Sequence, residues 1–221
     1  MISVAIDGPA GAGKSSLARA AAKELGFIYV DTGAMYRTVA LALLRAGVEN
    51  QDTDGVKALL DRINIELKFV NGEQRVFLDG EDVSDKIRTP EVSMRASSSS
   101  ALGAVRAFLL DKQRDLAKTS DVLMDGRDIG TVVLPNATVK IFLTASPEER
   151  ARRRFLELQA KGAPDTYEQV YEDMVKRDYD DSHRAIAPLK PADDAITVDT
   201  TGLEIEQSLA LILKTVRENL K

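Results

Sequence analysis

Gly8, Pro9, Ala10, Gly11, Ala12 and Gly13, followed by Lys14, Ser15 and Ser16, place three glycines ahead of an ammonium and two hydroxyls. Gly8, four intervening residues and then Gly13-Lys14-Ser15 form the P-loop pattern, a cradle for phosphate groups. Glycine tolerates positive φ and lets the backbone approach a ligand, so successive N–H groups can point at phosphate oxygens. A helix N-terminus behind the loop adds unsatisfied donors and partial positive charge. In such a loop Lys14 reaches the β- and γ-phosphates of a nucleotide such as ATP, and the Ser15 hydroxyl ligates Mg²⁺.

A second group of candidates follows the run Asp121-Val-Leu-Met-Asp125, an apolar strand ending in an acid. In a P-loop protein that position holds Mg²⁺ directly or through water, which makes Asp125 a metal candidate alongside Ser15. Arg127 and Asp128, in the turn bounded by Gly126 and Gly130, then fall beside the transferring phosphate; a surface ion pair is the plainer alternative. Transfer to a small acceptor also requires a second anion site, and Arg37, Arg127, Arg177 and Arg184 are available to build one. Arginine suits that task because its planar fork binds phosphate through two hydrogen bonds. Arg150, Arg152, Arg153 and Arg154 crowd one helix. Either they form a solvated face neutralised by Glu148, Glu149 and Glu157, or they belong to a mobile lid in which an arginine such as Arg153 offsets charge on the γ-phosphoryl group.

The elements that must carry these residues are visible as alternating patterns. Apolar strands are expected near 2–7, 27–30, 121–125, 138–143 and 195–198, separated by helices that begin near Lys14, Thr32, Thr89, Ala101, Ser146, Thr166 and Glu204. Thr32 is a candidate cap for the second helix, Gly26 and Gly162 are placed to end helices, and Ser146–Glu149 and Thr166–Gln169 have the form of capping boxes. The fold class implied is α/β, a doubly wound five-stranded parallel sheet with the P-loop after its first strand. Between residues 63 and 84 the character changes. Ile65–Phe69 alternates, Asn71-Gly72 and Asp79-Gly80 are hairpin signals, and Arg75–Leu78 is a second strand, so a small antiparallel insertion is expected.

At 221 residues the chain can bury ~70–75% of its unfolded surface without staples. The absence of cysteine excludes thiol catalysis and Cys-ligated zinc, and the single histidine, His183, excludes a His-rich metal site. A net charge of −5 argues against general nucleic-acid binding. The longest clean apolar run, Val39–Leu44, is too short to span a bilayer, so no membrane association and a cytoplasmic location are expected. The guanine-reading Asn-Lys-x-Asp of GTPases and the Asp-Gly-x-Pro-Arg of adenylate kinases are both missing.

Gly8–Ser15, Asp31-Thr-Gly-Ala-Met-Tyr-Arg37, Ile87-Arg-Thr-Pro-Glu-Val92, Asp125-Gly-Arg-Asp-Ile-Gly-Thr-Val-Val133 and Arg184-Ala-Ile-Ala-Pro-Leu189 together resemble the bacterial cytidylate kinases along essentially the whole chain. The resemblance implies ATP-dependent phosphorylation of CMP and dCMP, with UMP a poorer acceptor, Mg²⁺ as the metal and a monomeric protein. It implies that Thr32, Arg37 and Arg127 hold the acceptor phosphate. Ser97, Arg106 and Asp128 would recognise cytosine, and Arg177, Asp181 and Arg184 would contact sugar and phosphate. It further implies a P-loop core made of residues 1–31, 101–147 and 164–221, a nucleotide-monophosphate region over 32–100, and a lid over 148–163. Two readings of other classes compete: a nucleotide-switched binding module, and a P-loop kinase of another small acceptor such as shikimate.

Overall fold

Apolar runs bounded by glycine and capping residues become the elements of a computed structural model, which describes residues 1–70, 73–160 and 162–220. In chain order they are β1 (Ser3–Asp7), α1 (Lys14–Leu25), β2 (Ile28–Asp31), α2 (Thr32–Ala46), α3 (Thr53–Leu60), β3 (Ile65–Val70), β4 (Glu73–Leu78) and β5 (Glu81–Asp82). After a short 3₁₀ turn come α4 (Pro90–Ser99), α5 (Gly103–Thr119), β6 (Val122–Gly126), β7 (Val139–Thr144), α6 (Pro147–Ala160), α7 (Tyr167–His183), β8 (Ile196–Asp199) and α8 (Ile205–Asn219). A π-helical turn, Ile129–Val133, separates β6 from β7. The chain divides into two compact units, Met1–Tyr29 with Ala117–Lys221, and Val30–Leu116.

Five strands form a sheet in the order β2-β6-β1-β7-β8, and β1 pairs in parallel with β6 on one side and β7 on the other. The register sets Asp7, the last residue of β1, opposite Gly126 and Phe142. A strand whose neighbours lead away in opposite directions marks the switch point of a doubly wound sheet, where ligands bind at the carboxyl ends. Both faces are covered, so these strands read as nearly continuous apolar runs. Val4, Ile6, Leu123, Ile141 and Leu143 pack with Leu17, Ala18 and Ala21 of α1 and Ile212 and Val216 of α8. The small alanines of α1 let its backbone lie close to the sheet, which carries the helix N-terminus to the end of β1.

In the second unit β3, β4 and β5 form the expected antiparallel sheet, with Ile65 opposite Leu78 and Val70 opposite Glu73. The hairpin signal Asn71-Gly72 lies outside the described residues. The other turn has positive φ at both Asp79 (51°) and Gly80 (84°), the pair that a right-twisted two-residue turn requires. Ile65, Val76 and Leu78 pack against Met35, Val39 and Leu43 of α2 and Leu109 of α5. Two expectations about helix ends change. Asp31, not Thr32, caps α2, accepting from Ala34 N–H at 2.9 Å because Asp31 is the extended residue at the bend out of β2, whereas Thr32 is already the first residue of the helix. At Ser146 the hydroxyl accepts from Glu149 N–H, but Thr201 takes the Ser146 amide and arginines take the Glu149 carboxylate, so the box is half made. The Thr166–Gln169 box is complete.

Leu123 is fully buried in β6, beside the central strand. Leu123→Ala should lower unfolding free energy by ~2–5 kcal/mol through lost apolar burial and a residual cavity. Urea titration checks this, and an unchanged midpoint would contradict the packing described.

Candidate active site

Gly8 leaves β1 with φ +152°, and a Cβ there would meet the Leu143 carbonyl at 2.0 Å, so the loop leaves the sheet through a gap that fits glycine alone. Gly11 turns at φ +73° against α6 and α7, where a Cβ would lie 2.8 Å from Met174 Cε. Gly13, at φ 82°, precedes Lys14, the first residue of α1. Pro9, Ala10 and Ala12 are buried, whereas Ser15 and Ser16 open α1 on its exposed side. Lys14 is 5% exposed and donates from Nζ to the Pro9 carbonyl at 2.7 Å. Burial is the largest cause that holds its pKa well below the usual lysine value, and the Arg127 and Arg177 charges add to it against the attraction of Asp125 and Asp7.

Asp125 stands at the end of β6 as expected, accepting at one oxygen from Ser15 Oγ and at the other from Tyr29 Oη, each at 2.9 Å. Among the described residues no cluster of three or more His, Cys, Asp or Glu side chains is placed to hold a metal. One carboxylate and one hydroxyl side by side fit Mg²⁺, which keeps waters and substrate phosphates in most of its coordination positions.

Sequence reasoning gave no role to Asp7. It is 5% exposed and accepts from the Ile129 and Gly130 amides at 2.8 and 2.7 Å. Burial raises its pKa to about 6, with the two amides and Lys14 pulling down and Asp128 pushing up. The available signal was local: an acid ending an apolar strand directly before the loop.

Beyond Gly126 an alternating array of charges forms within the first unit. Arg127 donates from Nε to Asp181 at 2.9 Å, Arg184 lies 3.7 Å from Asp181 and 3.6 Å from Asp128, and Arg184 Nε is oriented by the Ala187 carbonyl at 2.7 Å. Asp128, Asp181 and Arg184 are almost fully buried. Burial pushes Asp181 upward, yet Arg127, Arg177 and Arg184 outweigh it and hold this carboxyl below its usual range. Arg177 is half-buried on the same helix, α7. In the second unit Thr32 is buried at the start of α2, and Arg37 pairs with Asp31 at 2.9 Å. Ser97 is half-buried near the end of α4; Arg106 is 8% exposed, donates to the Ser100 carbonyl at 3.0 Å and lies over the Tyr36 ring.

The four arginines of α6 separate. Arg152 and Arg154 pair with Glu149 and Glu157, as a solvated face would. Arg153 pairs with Glu149 and donates to the Thr200 carbonyl at 2.7 Å. Arg150 belongs to neither expectation: it is buried, donating to the Ala10 carbonyl in the P-loop at 2.9 Å and pairing with Asp178 of α7 at 2.7 Å.

The raised pKa of Asp7 has a sign. The native state binds its proton more tightly than the unfolded chain, so the stability contributed by the protonated acid is complete below about pH 4 and lost as pH rises through about 6. Relative to Asp7→Asn, the wild type should therefore lose ~3 kcal/mol between pH 4 and pH 7.5, by the free-energy equivalent of a pKa unit. Chemical denaturation of both proteins across that interval measures it, and a constant difference would contradict the assignment.

Comparison with known proteins finds relatives along the whole chain. A sequence model described as cytidylate kinase matches residues 4–218. The cytidylate kinase of Caldicellulosiruptor bescii is 53% identical over 96% of this chain and 94% of its own length, and that of Lactobacillus johnsonii is 48% identical over 100% of this chain and 96% of its own. The crystal structure of an uncharacterized protein from Eubacterium ventriosum, 13% identical, covers 98% of each chain with a TM-score of 0.51, a likeness of fold alone. Loop, strand-end acid, charge array and full-length similarity lead to one conclusion: this chain belongs to the cytidylate kinase family.

Proposed function

We propose that the protein transfers the γ-phosphoryl group of ATP to CMP and dCMP, giving CDP or dCDP and ADP, with UMP a poorer acceptor. The observation that carries the reading is a buried P-loop lysine sharing one unit with the array Arg127, Asp181, Arg184 and Asp128. In the reaction an acceptor phosphate oxygen attacks the γ-phosphorus as the bond to the β,γ-bridging oxygen breaks, and ADP carries that oxygen away. The acceptor is already an anion at neutral pH, so the protein's task is alignment and neutralisation of charge. The P-loop amides and Lys14 would hold the donor phosphates. Ser15, with Asp125 directly or through water, would hold Mg²⁺, which when bound would offset negative charge on the donor phosphates.

Thr32, Arg37 and Arg127 are assigned to the acceptor phosphate, and Arg177, Asp181 and Arg184 to its sugar and phosphate. Ser97, Arg106 and Asp128 are assigned to the base. Cytosine presents an amino donor where uracil presents a carbonyl oxygen, so a buried carboxylate such as Asp128 favours the former and repels the latter. Residues 148–163 are proposed as a lid, with Arg153 released from Thr200 to meet the developing charge on the phosphoryl group.

ADP release from Mg·ATP should be fast with CMP and dCMP and slow with UMP, AMP, GMP and shikimate. Slow hydrolysis that ignores every acceptor would favour a nucleotide-switched binding module instead. Lys14→Ala should cut kcat by at least ~100-fold without loss of fold, since a cation is removed from the transferring phosphates; near-normal kcat would overturn the P-loop assignment. Asp128→Ala should lower the CMP-over-UMP ratio of kcat/KM by about tenfold or more, and an unchanged ratio would remove Asp128 from base recognition.

A further inference from the structure

Arg127 and Asp128 sit on a connection that β6 alone does not hold. Asp128 has φ −147° and ψ 26°, between the broad backbone wells, and its carbonyl accepts from Val132 and Val133 at 2.9 and 3.1 Å as the π-helical turn begins. Single π turns are frequent at functional sites, and this one belongs to no longer helix, so its opening amides must find acceptors elsewhere in the fold. Here the two amides that open the turn, Ile129 and Gly130, are both taken by Asp7. Gly130 is enclosed: a Cβ would lie 3.1 Å from Lys140 Cδ and 3.4 Å from Asp7 Oδ2. Lys140 is itself fixed by the Pro135 carbonyl at 2.6 Å and by Asp194 at 2.8 Å. The turn is thus clamped between a carboxylate of β1 and a lysine stem of β7.

We propose that Asp7 is a positioning residue for acceptor recognition: by taking the Ile129 and Gly130 amides it sets the backbone from which Arg127 and Asp128 reach the nucleoside monophosphate. Asp7 also precedes Gly8 directly, so the same side chain ties the start of the donor loop to the acceptor turn. The role rests on the proposed activity and goes beyond it, because Asp7 needs no contact with either substrate.

Asp7→Asn preserves volume but turns an amino group toward one of the two amides, leaving that buried donor without an acceptor. The KM for CMP should rise about tenfold, and the preference for CMP over UMP should fall with it. The KM for ATP and kcat should stay within about threefold of wild type, since an intact loop still binds and aligns the donor. Gly130→Ala, which keeps the Asp7 carboxylate but presses a methyl group against Lys140 Cδ and Asp7 Oδ2, strains the turn itself and should give the same split. A folded Asp7→Asn protein with wild-type KM for CMP and wild-type base preference would overturn the proposal. So would an equal rise in the KM for ATP, which would make Asp7 a support of the P-loop alone. Should Asp7→Asn fail to fold, Gly130→Ala decides by the same criteria. Absence of CMP-dependent turnover in the wild type is a separate result: it overturns the activity, and this role falls with it.

Discussion

Burial of the Lys14 ammonium is the constraint that the carboxyl end of the parallel sheet is arranged to meet. A cation removed from water costs several kcal/mol unless charge and hydrogen bonds replace its hydration. Lys14 has the Pro9 carbonyl and the fields of Asp7 and Asp125, opposed by Arg127 and Arg177. Burial first, and then the charges of Arg127 and Arg177, depress its pKa against the pull of the two acids. A polyphosphate would reverse the balance, compensating Lys14, Arg127 and Arg177 together and restoring the lysine's basicity. The same electrostatics that make the site costly to maintain would favour highly charged phosphate groups.

The carboxylates divide the work according to what surrounds them. Asp125 lies between two hydroxyls, an environment that leaves an acid available to a hydrated divalent ion. Asp181 lies among arginines and stays ionised despite its burial. Asp7 faces amides, and its carboxylate is used on the backbone. Asp128 is buried beside Arg184. Four acids within one unit thus have different tasks because their neighbours differ in charge and in the donors they offer.

Much of this was legible before any coordinates. The strands near 2–7, 121–125 and 138–143 appeared as apolar runs because parallel strands covered on both faces need no polar alternation. The P-loop was legible because glycine, lysine and serine at fixed spacing have few other uses, and Asp125 because strand-end position is a local property. Asp181 was reached only through the family resemblance; its bond to Arg127 is a tertiary contact with no sequence signature. Arg150 was not told apart from its three neighbours for the same reason, since nothing in Arg150-Ala-Arg-Arg-Arg154 says which guanidinium turns inward to Asp178. Asp7 and the Asp31 cap were missed although both sit at strand ends, where short carboxylates can reach backbone amides of the following or adjacent segment.

The central claim is direct phosphoryl transfer from one nucleotide to another in a site organised around Lys14. It is tested most directly by ³¹P NMR of the protein mixed with Mg·ATP and CMP. Signals of CDP and ADP should grow in equal amounts, with no inorganic phosphate until long after CMP is consumed. Inorganic phosphate appearing in step with ADP, with no CDP β-phosphorus signal, would contradict it, for the loop would then be hydrolysing ATP and the arginine–carboxylate array would serve something other than an acceptor nucleotide.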